Sequence, residues 1–365
     1  MLCLLKNKGQ MHFCQTTRPI TKFGTLTISD ARPGMVPVRG VRYKTGVIPM
    51  NRRDFLKNTL SVAFLAPVSS LAAKASEVIK GGQDIRMSPE KDRRENKMYV
   101  FQPWEEDLAP FQIYGKLWHI GGKNSPSYLF DTGDGLLLLD TGLPKCGYFI
   151  FRNIYELGFN PRNIRWILHS HGHYDHIGMT RSIVEMTGAR TYIGAPDRDY
   201  VNGKFELPRA KFIDYRYDEP FEPDVLINGG ELLTFGALKI RCEAAPGHSP
   251  GTMAFFFDLE ENGVVRRAGM HGGVGINAMR TKFLQRFGLS GKCRQQFING
   301  VERLKDEPVE IFVGNHLGNY DALGKVRRRQ ENPGGPNPFI DPTEWKRFLT
   351  RRAELVRNLM QQDPF

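Results

Sequence analysis

Short apolar runs typical of strands alternate along the chain with segments in which apolar residues recur at helical spacing. The runs predict strands over residues 111–120, 127–132, 136–140, 164–168, 191–194, 231–235, 238–244, 252–258 and 264–268. Helical spacing predicts helices over residues 146–157, 177–186, 294–304 and 321–331. Because strands and helices alternate in two passes, we predict an α/β fold, a four-layer αββα sandwich with two sheets face to face and helices outside.

Residues 341–365 carry separate signals for a last helix. Asp341 is predicted as its N-cap and Pro342 as its first helical residue. One apolar face then recurs at helical spacing through Trp345, Phe348, Leu349, Val356 and Leu359. We expect this helix to pack on its own domain rather than on a membrane surface.

Candidate chemistry is concentrated where one predicted buried strand ends. Residues 171–176 read His-Gly-His-Tyr-Asp-His and follow the apolar run 166–168. In an extended segment, His171 and His173 point the same way, and Asp175 and His176 follow at the start of the next helix. Two further histidines lie in turn-like positions, His248 and His316. Imidazole and carboxylate are the ligands that zinc takes in catalytic sites, so this pattern predicts a metal centre.

The motif at 171–176, the turn 246–251, the late His316 and the run 136–142 with Asp140 resemble the metallo-β-lactamase fold superfamily of zinc hydrolases. The resemblance covers roughly residues 98–318. Many members bridge two metals with an Asp in a turn that corresponds here to Ala268-Gly269-Met270, and the first lactamase subclass uses a Cys ligand nearby. Neither residue is present, so the chain is most similar to the third lactamase subclass.

This resemblance implies two zinc ions. His171, His173 and His248 would hold the first zinc, and Asp175, His176 and His316 the second. That subclass often has serines where this chain has Met270 and Gly272. Candidate substrate-site residues are Tyr320, Met270 and His271, with a packed aromatic as the alternative interpretation of Tyr320 and a supporting or surface position as the alternative for His271.

The implied activity is that of a zinc-dependent hydrolase, like a β-lactamase, in which a metal-bound hydroxide opens a cyclic amide. Asp175 would be catalytic, as both a ligand and the group that orients the attacking water. Two alternatives stay open: a dizinc hydrolase of a lactone, ester or thioester, and a metal-binding protein without useful turnover. The loops 143–147, 202–222 and 270–293 would set the choice of small-molecule substrate.

The segment 50–75 resembles a twin-arginine export signal. Arg52-Arg53 precedes a moderately apolar stretch, and Ala73-Lys74-Ala75 is a small-residue cleavage pattern. The apolar stretch is far shorter than a membrane span, so no stable membrane anchor is expected. We expect a periplasmic or secreted protein that uses the twin-arginine export machinery. Residues 1–49 are interpreted as an over-extended or disordered prefix, residues 76–97 as a linker and residues 98–340 as the hydrolase domain.

The net charge of +12 is concentrated in residues 1–75, the predicted prefix and export signal. Residues 1–75 contain 12 Lys and Arg against 2 Asp and Glu, and the remaining chain has 39 basic against 37 acidic residues. Because the mature part is almost neutral, the basic composition predicts no nucleic-acid partner.

Overall fold

The computed structural model describes residues 102–205 and 220–365. The predicted prefix, export signal and linker lie outside the described residues, as do positions 206–219 of the loop 202–222. Their boundaries stay predictions. Within the described ranges, none of the helices has the length and apolar character required to cross a bilayer.

The first sheet has seven strands that lie side by side in chain order: β1 Phe111–Tyr114, β2 Leu117–His119, β3 Tyr128–Asp131, β4 Leu136–Leu139, β5 Ile164–Leu168, β6 Arg190–Gly194 and β7 Val225–Ile227. Strands β1 to β4 are antiparallel, and β4 to β7 are parallel. The parallel part places the carboxyl ends of β4, β5 and β6 along one edge, where their loops meet.

The second sheet has five strands in the order β12-β11-β10-β9-β8: β8 Leu232–Phe235, β9 Leu238–Ala244, β10 Met253–Glu261, β11 Val264–His271 and β12 Ile311–Phe312. All of its pairs are antiparallel except β11 with β12. Two of the predicted ligands lie next to this sheet: His248 in the connection between β9 and β10, and His316 in the chain after β12.

The α-helices that flank these sheets are α1 Gly147–Glu156, α2 Tyr174–Ile177, α3 Thr180–Thr187, α4 Arg198–Val201, α5 Thr281–Arg286, α6 Lys292–Leu304, α7 Ala322–Glu331 and α8 Glu344–Gln362. Helix α8 packs on α6, and Trp345 Nε1 donates to the Leu304 carbonyl at 2.9 Å. The last helix therefore packs on its own domain, as expected from its apolar face.

Successive side chains of β4 point to opposite faces of the first sheet, so the strand separates two layers of the core. Leu137 and Leu139 face the second sheet, while Leu136 and Leu138 face α1 and α3. Between the sheets, the Phe130 and Phe257 rings make an edge contact with 5.1 Å between centroids. Phe256, one residue away, instead contacts Trp345 of α8. This helix–sheet–sheet–helix arrangement confirms the predicted four-layer sandwich.

Several element boundaries differ from the predictions, and three of these differences change where an element divides or begins. The run 111–120 is two strands, because Gly115 takes a left-handed φ of 51° and turns the chain back. The predicted helix 177–186 is two helices, α2 and α3. Helix α8 begins at Glu344 instead of Pro342, because the Asp341 carboxylate accepts the Thr343 N–H at 2.9 Å in a preceding turn.

Candidate metal centre

The six predicted ligands lie in two groups of three at the edge where the loops of both sheets meet. The first triad is His171, His173 and His248, and the second triad is Asp175, His176 and His316. Within each group, one candidate ligand atom from each residue lies within 4.8 Å of the others. The structure therefore groups the residues as the resemblance implies.

The end of β5 positions four of these ligands. After Leu168 the chain continues through His171 and His173 and enters α2, which carries Asp175 and His176. His171 Nε2 and His173 Nδ1 lie 3.0 Å apart, and the His173 and His248 rings have centroids 4.6 Å apart. The three imidazoles of the first triad thus converge on one point although they come from two loops.

The second triad combines a carboxylate with two imidazoles. Asp175 Oδ2 lies 3.6 Å from His176 Nε2 and 3.8 Å from His316 Nε2. His316 follows β12 and comes from the far end of the second sheet. Its side chain is 36% exposed, whereas His176 is fully buried. The second triad therefore opens toward solvent on its His316 side.

Outward hydrogen bonds fix the orientation of four imidazoles. His176 Nδ1 donates to Asp140 Oδ2 at 2.7 Å, and His248 Nδ1 donates to the Gly275 carbonyl at 2.8 Å. His171 Nδ1 contacts Ser170 Oγ at 3.1 Å, and His316 Nδ1 contacts the Asn124 carbonyl. Each of these rings keeps Nε2 for the centre of its triad. This pattern, in which the outer ring nitrogen is hydrogen-bonded, is typical of metal-binding histidines.

The donor set fits a pair of transition-metal ions. His176 Nε2 is buried and has no hydrogen-bond partner among the described residues, although a buried polar atom normally has one. The Asp175 carboxylate oxygen lies 3.6 Å from it, beyond hydrogen-bond distance. An ion such as Zn²⁺, which takes imidazole nitrogen and carboxylate oxygen, would satisfy this atom.

For three of the six ligands, His171, His248 and Asp175, the electrostatics favour the protonation state that binds metal. Burial, with the charge of neighbouring imidazoles, holds the pKa of His171 well below its usual value, and burial lowers the pKa of His248 to about 4. Burial alone would raise the pKa of Asp175, but His176, His316 and His173 outweigh it and lower that pKa to about 2. His171 and His248 of the first triad are therefore neutral at pH 7, and the second triad contains an ionised carboxylate.

Asp140 accepts hydrogen bonds both from a ligand of the 171–176 motif and from the backbone just before that motif. Its Oδ1 accepts the Ser170 N–H at 2.7 Å, and its Oδ2 accepts the Ser170 hydroxyl at 2.7 Å in addition to His176. The residue is fully buried and has a left-handed φ of 62°, which is uncommon outside glycine. Such backbone strain persists where the surrounding contacts fix it, so Asp140 acts as a rigid anchor under the ligand loop.

Asp197 joins the two loops that form the first triad. Its carboxylate accepts the Gly172 N–H at 2.8 Å, the Ser249 hydroxyl at 2.6 Å and the Gly251 N–H at 2.7 Å. Sequence reasoning missed this residue. A signal was present, because Asp197 follows β6, whose carboxyl end must lie beside that of β5.

Asn124 is a second residue that the sequence did not reveal. Its N–H and side-chain amide donate to the buried Glu106 carboxylate at 2.7 and 2.6 Å, and its carbonyl accepts His316 Nδ1. Asn124 thereby fixes the ligand that comes from the far end of the second sheet. Its segment, a loop between β2 and β3, offered no pattern by which this role could be predicted.

The glycine-rich segment after β11 lies against the site. A Cβ atom at Gly273 would lie 2.5 Å from His248 Cδ2, so this backbone packs directly on the imidazole. A Cβ atom at Gly272 would lie 2.3 Å from the Met253 carbonyl oxygen and 2.8 Å from Ser170 Cβ. Gly272, where the third lactamase subclass often has a serine, therefore has no room for a serine side chain in this backbone.

The three predicted substrate-site residues lie in the packed interior. Met270 is fully buried in the core between the sheets. Tyr320 is 1% exposed, and its hydroxyl lies 3.0 Å from that of Tyr128, so the packed-aromatic alternative describes it. His271 is 1% exposed and packs on Phe297, which excludes a surface position. None of the three is among the described residues that line the cavities at the triads.

Two adjoining cavities open at the triads. The polar cavity, of about 310 Å³, contains the second triad's exposed ligands and two amide side chains: Asp175, His316, Asn124 and Asn277 are among its lining residues. A second cavity, of about 260 Å³, extends from His173 and His248 toward α5. Both cavities include these two histidines, so a bound molecule could occupy both at once.

Comparison with known proteins agrees with this geometry. Residues 120–264 match the model of the metallo-beta-lactamase superfamily. A hydroxyacylglutathione hydrolase of Anaeromyxobacter dehalogenans is 30% identical over 132 residues, which cover 36% of this chain and only 42% of that relative. An N-acyl homoserine lactonase of Bacillus thuringiensis is 26% identical over 227 residues, which cover 52% of this chain and 80% of the relative.

Solved structures share the fold over nearly their whole length. The subclass B3 metallo-beta-lactamase BJP-1 of Bradyrhizobium japonicum aligns with a TM-score of 0.65 and 24% identity, covering 72% of this chain and 97% of that one. Native FEZ-1 metallo-beta-lactamase from Legionella gormanii aligns with a TM-score of 0.64 and 24% identity, covering 71% and 97%. At this identity, the likeness concerns the fold.

Proposed function

We propose, from the membership of this chain in the metallo-β-lactamase superfamily, that it is a dizinc hydrolase that opens a cyclic amide, as a β-lactamase does. The observation that carries the proposal is the pair of three-ligand clusters at one sheet edge. The strand end that would carry a bridging carboxylate has Met270 instead, buried in the core. This arrangement favours two separate three-ligand sites.

The first triad would hold one zinc ion and the second triad the other. When bound, two zinc ions supply Lewis acidity toward a carbonyl and a water nucleophile at neutral pH. His171 and His248 are ready to bind because their low pKa values keep them neutral at pH 7. No proton has to leave them before the metal is bound.

Asp175 has the second task of orienting the attacking water. With a pKa of about 2 it is ionised throughout the neutral range, so its oxygens accept hydrogen bonds. It lines the polar cavity beside Asn277, whose amide can donate to the substrate. Holding a water and a carbonyl in one orientation removes much of the entropic barrier of their reaction.

A lactone, ester or thioester is the second candidate substrate. Two observations favour it: the relatives named above are a hydroxyacylglutathione hydrolase and a homoserine lactonase, and Gly272 has no room for a serine hydroxyl. The same two triads would serve either reaction. A metal-binding role without turnover is the third alternative, and it makes no use of the open cavity at Asp175.

The test is a hydrolysis panel with the zinc-loaded protein: a penicillin, a cephalosporin, a carbapenem, a lactone and a thioester. We expect turnover of at least one β-lactam that stops on chelation and returns with zinc. Turnover of only the lactone or thioester would replace the lactam assignment by the second candidate. Absence of turnover across the panel would contradict both and favour a metal-binding role.

We also propose that the protein is exported through the twin-arginine route, on the basis of Arg52-Arg53 and the small residues before Ser76. Replacing both arginines by lysine should leave the protein in the cytoplasm, measured by fractionation of the producing cells. The exported wild type should begin near Ser76 on N-terminal sequencing. Unchanged export of the double variant would contradict this route.

A further inference from the structure

We propose that Glu106, which lies outside both triads, is a positioning residue for His316, because it holds the loop whose backbone carbonyl orients this ligand. Glu106 ends a short 3₁₀ helix, Pro103–Glu106, and is 1% exposed. The anchored loop, as we call it, is residues 121–126, between β2 and β3. This inference rests on the metal centre that the proposed function requires, and it does not depend on the substrate.

The exposed ligand of the second triad is oriented by a backbone carbonyl. His316 Nδ1 donates to the Asn124 carbonyl, which leaves Nε2 for the centre of the triad, 3.8 Å from Asp175 Oδ2. A hydrogen bond at the outer ring nitrogen fixes both the tautomer and the ring orientation of a metal-binding histidine. The position of the Asn124 carbonyl therefore decides where Nε2 of His316 points.

Glu106 binds the anchored loop at two successive residues. Its Oε2 accepts the Asn124 N–H at 2.7 Å, and its Oε1 accepts Asn124 Nδ2 at 2.6 Å. Its backbone carbonyl accepts the Lys123 N–H at 3.1 Å. Because one carboxylate accepts from both the backbone and the side chain of Asn124, it fixes the orientation of the residue that supplies the carbonyl to His316.

The backbone of the anchored loop packs directly on this carboxylate. A Cβ atom at Gly122 would lie 2.7 Å from Glu106 Oε2 and 3.1 Å from Glu106 Cβ. The carboxylate therefore has little room for another conformation. A buried carboxylate that lost its hydrogen-bond donors would also cost much free energy, which favours the single arrangement in which Asn124 donates to it.

Helix α1 holds both partners of this contact in place. Asn153 is fully buried in α1, and its side-chain amide donates to the Leu108 carbonyl at 2.8 Å and to the Ile120 carbonyl at 2.9 Å. Leu108 closely follows Glu106 in the chain, and Ile120 directly precedes the anchored loop. Because both segments are tied to one helix, the contact between Glu106 and Asn124 is preorganised, and little ordering is needed when a metal ion binds.

The first experiment measures zinc binding by the full chain in competition with a chromophoric chelator. Glu106→Ala removes both carboxylate hydrogen bonds, so the affinity of the second triad should fall about tenfold, while the ion of the first triad serves as the internal reference. Glu106→Gln can accept at only one oxygen and should lose about threefold. Glu105→Gln changes the exposed neighbour and is the matched control, which should bind zinc as the wild type does.

A double-mutant cycle tests the route through Asn124. Asn124→Ala keeps the backbone carbonyl but loses the side-chain bond to Glu106, so the affinity of the second triad should fall about threefold. Added to Glu106→Ala, this substitution should cause no further loss, because the two residues act through one contact. Denaturant unfolding of the metal-free variants is measured in parallel, since a merely structural residue would lower stability and weaken both ions alike.

A loss that is confined to the second ion and is non-additive supports the inference. Unchanged zinc affinity in Glu106→Ala, an equal loss at both ions, or additive effects of the two substitutions overturns it and leaves the dizinc proposal standing. A wild type that binds fewer than two ions overturns the dizinc proposal, and this inference with it. If Glu106→Ala does not fold, Glu106→Gln takes its place in the cycle, and the same outcomes decide.

Discussion

The two triads use similar ligands but are built in opposite ways. The first triad is made of three imidazoles from two loops that Asp197 fastens together. The second combines a carboxylate with two imidazoles, and its His316 side chain is 36% exposed. Two imidazoles of the first triad, His171 and His248, are neutral at pH 7, whereas the second triad carries the ionised Asp175 and is open to solvent at His316.

This difference assigns separate tasks to the two triads. His171 and His248 suit the retention of an ion, because they are neutral at pH 7 and their rings are already held by hydrogen bonds at Nδ1. The ionised Asp175 lies where the polar cavity reaches solvent, so it is available to a water and a substrate. We therefore expect substitutions in the second triad to affect turnover and stoichiometry before they affect the first ion.

The largest expected effect comes from Asp175→Ala. Losing a ligand and the group that orients the water should lower kcat/KM by at least about a hundredfold on the best substrate of the panel. Steady-state kinetics with saturating zinc measure this loss. Asp199→Ala, which removes a nearby carboxylate paired with Lys204, is the control. A tenfold or smaller loss for Asp175→Ala would mean that another group orients the water.

Loss of the exposed ligand should separate the two ions. In His316→Ala, we expect the zinc content to fall from close to two ions per chain to close to one, because the first triad keeps all its ligands. In His171→Ala, the ion held by the first triad should be lost instead. Metal analysis after dialysis distinguishes these outcomes, and unchanged content in His316→Ala would show that His316 is not a ligand.

Asp140→Asn tests the support beneath the second triad. The amide cannot accept the His176 and Ser170 hydrogen bonds as the carboxylate does, so zinc affinity at the second triad should fall roughly 10–100-fold. Competition with a chromophoric chelator measures this change. Asp224→Asn is matched to it, since Asp224 accepts two bonds from Thr191 in the same sheet but lies outside both triads. Equal effects would reduce Asp140 to a structural role.

The smallest effect concerns a buried imidazole outside both triads, and it separates burial from metal binding. Burial lowers the pKa of His119 to about 3, with a weaker opposing effect of the Gly122 carbonyl. Because the folded value lies below the unfolded value near 6.5, its contribution is complete above pH 6.5 and is lost as the pH falls toward 3. In metal-free protein it should cost roughly 2 kcal/mol between pH 8 and 5.

His119→Phe should remove that part of the acid sensitivity. Denaturant unfolding of the metal-free variant at pH 8 and at pH 5 is the measurement, with wild type treated in parallel. The ring stacks on Phe111, with 4.6 Å between centroids, so phenylalanine suits the same packing. An identical pH dependence in both proteins would assign the acid sensitivity to the triads instead.

Local patterns predicted all of β4 and β5 and the ligand motif, because apolar runs and neighbouring ligands are encoded within a few residues. The resemblance supplied the grouping of His248 and His316 with that motif. The role of Asn124 could not be predicted, because it depends on which loops meet after the sheets pack. Asp197 was missed although its place after β6 was a signal. The sequence could not decide between the two interpretations of Tyr320, substrate-site residue or packed aromatic, because its partner Tyr128 lies in another strand, far away in the chain.

The Asp197 bridge also bears on the order in which the molecule folds. Gly172 and Gly251, which it joins, are separated in the chain by the last two strands of the first sheet, β6 and β7, and by β8 and β9 of the second sheet. Contacts between such distant positions form late, because a long loop must close before they gain any energy. A partly folded chain can offer only the ligands of residues 171–176. We therefore expect all three imidazoles of the first triad to become available to a metal ion only in the final stage of folding, after both sheets have met.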